Sequence, residues 1–180
     1  SACGRGPEAG SQKGELHPPD QALGRSRGGF STKLHVSGDG KGRPLSLVVT
    51  AGQRHDSTQA EPVLDGIAVR RPRGHIRKRP KRLLGDRGFS YRRIRRLLRR
   101  RKIPHVIPER KDQKQARKAK GSAGGRPPGF DREAYRRRNV IERMIGRLKQ
   151  FRRVATRYDK LAVRCRAFVV LAAIHLWLAA

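Results

Sequence analysis

Four residues with chemically useful side chains are spaced so that a helix would bring them to one face. Tyr135, Arg138, Glu142 and Lys149 lie at offsets of 0, 3, 7 and 14 residues. At roughly 100° per residue, these offsets fall within about 60° of one another around a helix. Such a face carries one carboxylate, which can bind a metal ion, between two cations, which can bind phosphate oxygens. The simpler alternative is a surface ion pair between Arg138 and Glu142, which contributes roughly 0.3–0.5 kcal/mol.

The segment around these residues has the pattern of an amphipathic helix. Asp131 is a suitable N-cap, and the first Gly or Pro after it is Gly146. A neighbouring apolar stripe predicts the side that faces a core: Val140, Ile141, Met144, Ile145, Leu148 and Phe151. The remaining side, which we expect to be solvated, carries Arg136, Arg143 and Arg147. We therefore predict one continuous helix with a core face, a solvated face and a third face that carries the four residues named above.

The spacing of Tyr, two residues, Arg, three residues, Glu, six residues and Lys resembles a known signature. It is the pattern around the last catalytic acid in DDE transposases of bacterial insertion sequences. Further stretches resemble the same family in the same order: residues 25–35 its early strand, residues 85–89 the segment around its second catalytic Asp, and residues 107–110 and 155–160 its later landmarks. The resemblance extends from about residue 12 to the C-terminus.

The resemblance implies an enzyme that cleaves and transfers DNA strands during transposition. It assigns Asp86 and Glu142 as the second and third metal-binding acids, with Mg²⁺ or Mn²⁺ as the cofactor. Chemistry of this kind uses two divalent ions about 3.5–4 Å apart, which activate the attacking oxygen and stabilise the leaving oxygen. Arg138 and Lys149 are then expected to hold DNA phosphates or to orient Glu142. Tyr135 is expected to position DNA or water, with a packing role as the equal alternative.

The first catalytic Asp of the family lies on a strand that precedes a hairpin. Upstream of Phe30 the sequence has only Glu8, Glu15 and Asp20, and none of them lies in an apolar, strand-like run. We therefore expect the first catalytic acid to be missing and the chain to be the C-terminal part of a transposase, impaired on its own. A decayed copy, a misread start and a second reading frame expressed by frameshifting would each explain this. The alternative function is a non-catalytic basic remnant that binds DNA.

The composition favours a nucleic-acid partner. The 180 residues carry a formal net charge of +31, with a pI near 11.8, and such a surplus of cations is stabilised by a polyanion. We expect DNA rather than a membrane, because the apolar residues 167–180 are too short to span a bilayer comfortably and include His175. Cys3 and Cys165 have no spacing typical of zinc or of a disulfide framework. The expected location is cytoplasmic, at the nucleoid, with a possible homodimer.

The order of predicted elements indicates an α/β protein. Residues 1–29 are predicted to be a disordered leader or a remnant, and residues 30–180 a partial catalytic domain with a flexible basic insertion at 109–129. Within that domain we expect a hairpin at 30–36 and 45–50, helices at 60–68, 91–102 and from about 160, short strands at 82–86 and 103–107, and a basic linker at 70–82. By resemblance, the fold is a ribonuclease-H-like mixed sheet flanked by helices that lacks its first strand.

Overall fold

An antiparallel sheet is formed by the first part of the chain. The computed structural model of the protein describes residues 21–26 and 29–179. Strands β1 (Gly24–Ser26), β2 (Gly29–Gly38) and β3 (Pro44–Ala51) pair in that order, with Leu34 opposite Val49. The predicted hairpin is therefore confirmed. Residues 30–36 partly alternate between apolar and polar, residues 45–50 are apolar and β-branched, and a turn rich in Gly lies between them. The prediction of a disordered leader is wrong at residues 24–26, which form β1. Residues 1–20 of the predicted leader lie outside the described part.

The segment after the hairpin is more regular than the sequence suggests. Helix α1 (Ala60–Asp65) is shorter than the predicted one and follows a 3-10 turn at Asp56–Thr58, in which the His55 ring accepts from the N–H of Ser57. The basic stretch predicted as a linker contains two short antiparallel strands, β4 (Val69–Arg70) and β5 (Ile76–Arg77). The sequence pattern missed this hairpin because each of its strands is only two residues long.

A first hydrophobic core forms around α2 (Arg92–Arg100), which lies between strands β6 (Leu83–Leu84) and β7 (His105–Val106) in the sequence. These two strands pair in parallel, as expected for strands joined by a helix. The buried side chains of this core come from α1, α2 and their flanking loops: Leu64, Ile67, Ile94, Leu97, Leu98, Ile103 and Ile107. Among the arginines of α2, Arg95 turns inward and donates to the carbonyl of Ile107 at 2.7 Å.

Leu98→Ala should lower the free energy of unfolding by about 2–5 kcal/mol. Leu98 is completely buried, so the change removes apolar contacts and leaves a cavity. Urea denaturation followed by circular dichroism measures this loss. Leu161, which is 40% exposed, provides the control, since Leu161→Ala should cost less than about 1 kcal/mol. Equal losses in the two variants would contradict the assignment of Leu98 to the core.

The predicted flexible insertion contains a helix, α3 (Lys111–Ala119). This part of the prediction therefore needs correction. The helix docks through polar contacts, because the Oγ of Ser90 donates to the Oε1 of Gln113 at 2.7 Å and the Gln113 amide donates back to the Ser90 carbonyl. Arg117 also pairs with Glu109 at 3.1 Å. A pattern search for apolar faces misses such a helix, since its contacts are hydrogen bonds and an ion pair.

The helix predicted to be continuous from Asp131 is divided into two. Asp131 caps α4 (Arg132–Arg136) by accepting from the N–H of Ala134 at 2.8 Å, as predicted, and α5 (Asn139–Lys149) follows. Between them the backbone tightens, because the N–H groups of Arg137 and Arg138 bond to carbonyls three residues back. No Gly or Pro marks this break, so the sequence pattern does not predict it.

A second hydrophobic core packs α5 against the hairpin and the last helix. The short helix α6 (Arg152–Ala155) leads into α7 (Ala162–Leu178), which confirms the predicted terminal helix. The buried residues of this core lie on α5 and α7: Met144, Leu148, Ala172 and Leu176. Leu34 and Val36 of β2 pack against them. None of the helices within residues 21–26 and 29–179 has the length and apolar character that crossing a membrane requires.

The architecture is mixed α/β, as predicted, but the strands do not form one sheet. Residues 21–26 and 29–179 contain the β1–β2–β3 sheet, the β4–β5 pair and the β6–β7 pair, and these are not hydrogen-bonded to one another. The expected single mixed sheet therefore needs correction. No described strand pairs with both β2 and β6, and the first and third sheets are therefore separate.

Candidate active site

Asp86 lies at the end of a short parallel strand. Gly85 continues the pairing of β6, since its N–H donates to the carbonyl of Val106 at 3.1 Å. Asp86 then occupies the N-cap position of a 3-10 turn, but its exposed side chain forms no capping hydrogen bond. A Cβ at Gly88 would lie 3.0 Å from the Oδ1 of Asp86, so glycine at this position leaves room beside the carboxylate. The local structure presents Asp86 to solvent with both oxygens available.

Asp86 is one of two described carboxylates without a cationic partner. The sequence has fourteen Asp and Glu residues, of which Glu8, Glu15 and Asp20 lie outside the described part, which leaves eleven. Nine of these eleven form ion pairs, and the exceptions are Asp86 and Glu133. In a chain with a net charge of +31, an unpaired carboxylate at a strand end is well suited to bind an external cation.

Three of the four residues on the predicted helix face are brought together. The Nη2 of Arg138 lies 2.5 Å from the Oε1 of Glu142, and its guanidinium carbon lies 5.5 Å from the ring centroid of Tyr135. The Tyr135 ring also packs against Phe130, with a centroid separation of 5.2 Å. The break between α4 and α5 therefore does not separate Tyr135 from Arg138, and Arg138 is held between an aromatic ring and a carboxylate.

Lys149 stands apart from this group. It is the exposed last residue of α5, and its side chain forms no hydrogen bond or ion pair with the part of the chain that the structure describes. Lys149 and Glu142 are separated by seven residues, or about 10 Å along a helix. The cation is therefore free to contact an external anion, but it does not orient Glu142 directly.

The two predicted acids lie beside different hydrophobic cores. Leu83 and Phe89, which flank Asp86, pack on the first core, whereas Ile141, next to Glu142, packs on the second. Among the described residues, no hydrogen bond or ion pair links Asp86 to Tyr135, Arg138, Glu142 or Lys149. The structure therefore joins the helix residues to one another but does not connect them directly to the strand-end acid.

An ion pair does connect the segments that carry the two acids. Arg82, just before β6, pairs with Asp131, the N-cap of α4, at 3.1 Å. The hydrogen bond from the N–H of Ala134, together with the charge of Arg82, holds the pKa of Asp131 below its usual value. Asp131 therefore stays ionised while it both caps α4 and attaches it to the strand that leads to Asp86.

The donor chemistry of the two acids suits a hard divalent cation, although the described ligand set is incomplete. Carboxylate oxygens are the ligands that Mg²⁺ prefers, and Asp86 offers both of its oxygens. Glu142 offers one, since Arg138 holds the other. No group of three or more His, Cys, Asp or Glu side chains able to hold a metal occurs within the described ranges. Asp86 and Glu142 thus fit as two ligands of a metal site that needs at least one more.

Sequence reasoning missed one set of cations. Arg143 and Arg147 were predicted to face solvent, but together with Lys41 they line a cavity of about 270 Å³ between α5 and the β2–β3 turn. The only sequence signal was the cluster of glycines around Lys41, which lies between the two strands of the predicted hairpin. The proximity of this turn to α5 depends on tertiary packing, which spacing along the chain does not reveal.

Comparison with known proteins identifies the family. The model of the transposase DDE domain family matches residues 5–177, so the chain belongs to this family. This confirms the membership predicted from the motifs, while the roles of individual residues stay predictions.

Two relatives are named as transposases of insertion sequences. The chain is 35% identical over 141 residues to a protein named for insertion sequence element IS402 of Burkholderia cepacia, and the match covers 78% of the chain and 59% of that relative. It is 27% identical over 149 residues to one named for element IS6501 of Brucella ovis, covering 83% of the chain and 99% of that relative. The chain thus spans less than two thirds of the length of the first relative. No solved structure matches it significantly.

Proposed function

We propose that this chain is the catalytic portion of an insertion-sequence transposase, which cleaves and transfers DNA strands with Mg²⁺ or Mn²⁺. The observation that carries the proposal is the family match over residues 5–177, which includes both Asp86 and Glu142. The availability of the Asp86 carboxylate supports it. We further propose that residues 30–180 belong to a ribonuclease-H-like arrangement that lacks, within the described residues, a strand joining its sheets. The antiparallel β2–β3 hairpin followed by the parallel β6–β7 pair supports this proposal.

Each residue of the proposed site has a distinct task. Asp86 and Glu142 would hold the metal ions, which would supply activation of the attacking oxygen and stabilisation of the leaving oxygen. Arg138 orients Glu142 through the 2.5 Å contact and is itself positioned by the ring of Tyr135. Lys149 binds a DNA phosphate further along the strand, since no described residue occupies its ammonium group. The DNA partner places the protein at the nucleoid.

The alternative function, a non-catalytic basic DNA-binding remnant, is favoured by one observation. The described residues contain no group of three potential metal ligands, and two carboxylates would hold a pair of metal ions poorly against phosphate charge. Purified protein, DNA that carries the terminal repeats of the element, and added Mg²⁺ or Mn²⁺ separate the two functions. Metal-dependent nicking supports the enzyme, whereas binding without nicking supports the remnant.

We also propose that α7 forms a homodimer with a second copy of the chain. Its exposed apolar side chains follow one stripe of the helix: Val163, Val170, Leu171, Ile174 and Leu178. An exposed patch of this kind marks an interaction surface. The arginines of α7 all lie near its beginning, at Arg164 and Arg166, so antiparallel pairing keeps like charges apart while the two stripes meet.

Ile174→Asp should convert this dimer to a monomer. The change places a charge in the centre of the apolar interface, and burying it unpaired costs several kcal/mol, or at least a 100-fold loss of association. Sedimentation velocity in high salt, which screens the repulsion between the cationic chains, measures the shift. Ile174→Leu is the matched control and should stay dimeric. A wild-type chain that sediments as a monomer at the highest accessible concentration would refute the proposal.

A further inference from the structure

Three cations from two separate elements converge on the cavity between the β2–β3 turn and α5. Lys41 comes from the turn, and Arg143 and Arg147 come from successive turns of α5. None of the three forms an ion pair with any residue in the ranges 21–26 and 29–179. The cavity, of about 270 Å³, has apolar walls at Val140 and Met144. It is a concave site of positive charge without a local counter-charge.

The nearest acid on the turn does not neutralise these cations, because its bonds are used within the turn. Asp39 accepts hydrogen bonds from the N–H groups of Lys41 and Arg43, each at 2.9 Å, and pairs with the Arg43 guanidinium at 2.6 Å. Burial opposes ionisation of Asp39, but the hydrogen bonds from Arg43 and Lys41 outweigh it and hold the pKa of the carboxyl below its usual value. Asp39 thus fixes the turn and leaves the Lys41 ammonium group available.

The turn is also held from outside by the last helix. The Arg43 guanidinium lies 4.2 Å from the ring centroid of Trp177, and the indole N–H of Trp177 donates to the carbonyl of Pro44 at 2.6 Å. A cation over an aromatic face and a partly buried hydrogen bond are both favourable contacts. The end of α7 therefore stabilises the conformation in which Lys41 faces α5.

Two glycines allow the turn to approach α5 closely. A Cβ at Gly38 would lie 2.7 Å from the Sδ of Met144, which is closer than such contacts permit. Gly42 has a φ of +79°, where L side chains are strained, and a Cβ there would lie 3.4 Å from the Cγ1 of Val140. Any other residue at Gly38 would require either the Met144 side chain to shift or the turn to move away from α5. The close approach is what brings Lys41 to the two arginines.

We propose that this cleft binds a phosphodiester group of the DNA backbone and anchors the strand beside Glu142. Guanidinium groups bind phosphate oxygens in paired hydrogen bonds, and a lysine adds a point charge. Arg143 directly follows Glu142, so the cleft and the proposed metal-binding carboxylate lie on adjacent faces of α5, roughly 100° apart. A strand held in the cleft passes alongside Glu142. This inference rests on the proposed action on DNA.

The test is the salt dependence of DNA binding, measured by fluorescence anisotropy on a labelled duplex. Replacing all three cations with Gln should make the slope of log K against log [salt] less steep by about 1, since the variant loses the one phosphate contact of the cleft and each such contact contributes roughly 0.9. Lys41→Arg with Arg143→Lys and Arg147→Lys keeps every charge and should preserve the wild-type slope. Circular dichroism confirms that the variants are folded.

A second triple variant controls for the loss of charge alone. Lys114, Lys118 and Lys120 on or next to α3 are exposed and unpaired within the described residues. Their replacement with Gln removes the same charge. Because these lysines are not part of the cleft, the slope should change less than it does in the cleft variant. An equal change would overturn the cleft and indicate a diffuse charge effect.

Asp39→Asn gives an independent test, because its expected effect on DNA binding is opposite to the effect that net charge alone predicts. The variant is more positive by one unit, so net charge alone predicts tighter DNA binding. Loss of the Arg43 pair should instead loosen the turn and weaken binding by about 5-fold. Tighter binding by folded Asp39→Asn would overturn the role of the turn.

Two further outcomes separate this inference from the proposed function. A wild-type slope near zero would overturn the proposed action on DNA and the cleft with it, whereas a steep wild-type slope that is unchanged in the Gln variant would overturn the cleft alone. Inorganic phosphate provides the last arm. If it binds the wild-type chain in a titration and is lost in the Gln variant, while the DNA slope stays the same, the cleft accepts free phosphate rather than DNA.

Discussion

Glu142→Gln and Asp86→Asn should each reduce metal-dependent DNA cleavage by at least about 100-fold in a chain extended upstream by a segment that supplies a third metal-binding acid. Loss of a residue that only supports a ligand already costs 10–100-fold, and loss of a ligand itself should cost more. In the 180-residue chain the same two changes should alter little, because two carboxylates hold a metal pair too weakly to support the reaction. Nicking of terminal-repeat DNA with Mg²⁺ or Mn²⁺ measures both backgrounds.

Glu133→Gln is the matched control for this experiment. Glu133 lies on α4 and, like Asp86, has no ion pair within the described residues, but no metal role is proposed for it. Its replacement should preserve cleavage in the extended chain. Strong cleavage by the 180-residue chain that is lost on Glu142→Gln would show that another acid, Asp20 or Asp39, supplies the third ligand. The proposed impairment would then be wrong.

DNA binding by the wild-type chain should weaken about 1,000-fold between 50 and 200 mM salt. This corresponds to a log–log slope of −5 or steeper, which arises when about five or more phosphate contacts release counterions. The cationic residues that support this expectation are spread over several elements and include Arg92 and Arg96, both exposed on α2 and unpaired within the described residues. A filter-binding titration over this salt range measures the slope.

The same titration should show little preference for sequence. Contacts with phosphates position a protein on DNA but carry no direct information about the bases. A duplex of scrambled sequence should therefore give nearly the same slope and affinity as a terminal-repeat duplex. A strong preference for the terminal repeat would indicate base contacts that this proposal lacks.

The local elements of the chain were predictable where strong short-range signals occur. The hairpin follows from a partly alternating run and an apolar, β-branched run on either side of a glycine-rich turn. Helix α2 follows from Ile94, Leu97 and Leu98 at helical spacing. The capping role of Asp131 was also correct. These features depend on side chains that lie within a few residues of one another, so the sequence carries the information directly.

Elements that depend on polar docking were not predictable in this way. Helix α3 is held by Ser90 and Gln113 rather than by an apolar face. The break between α4 and α5 contains no Gly or Pro. On one side of it Asp131 pairs with Arg82, and on the other side α5 packs on the second core. In both places a distant partner decides the local structure.

The sequence by itself determined the family and the candidate chemistry of this protein. Tyr135, Arg138 and Glu142 are neighbours because helical spacing makes them so, and the contacts among them persist across the break between α4 and α5. Only the tertiary structure decided that Asp86 has no cationic partner among the described residues and that Lys41 meets Arg143 and Arg147. Lys41 and Arg143 are about a hundred positions apart in the chain, and packing of the glycine turn on α5 brings them together, so periodicity along one segment carries no information about their distance.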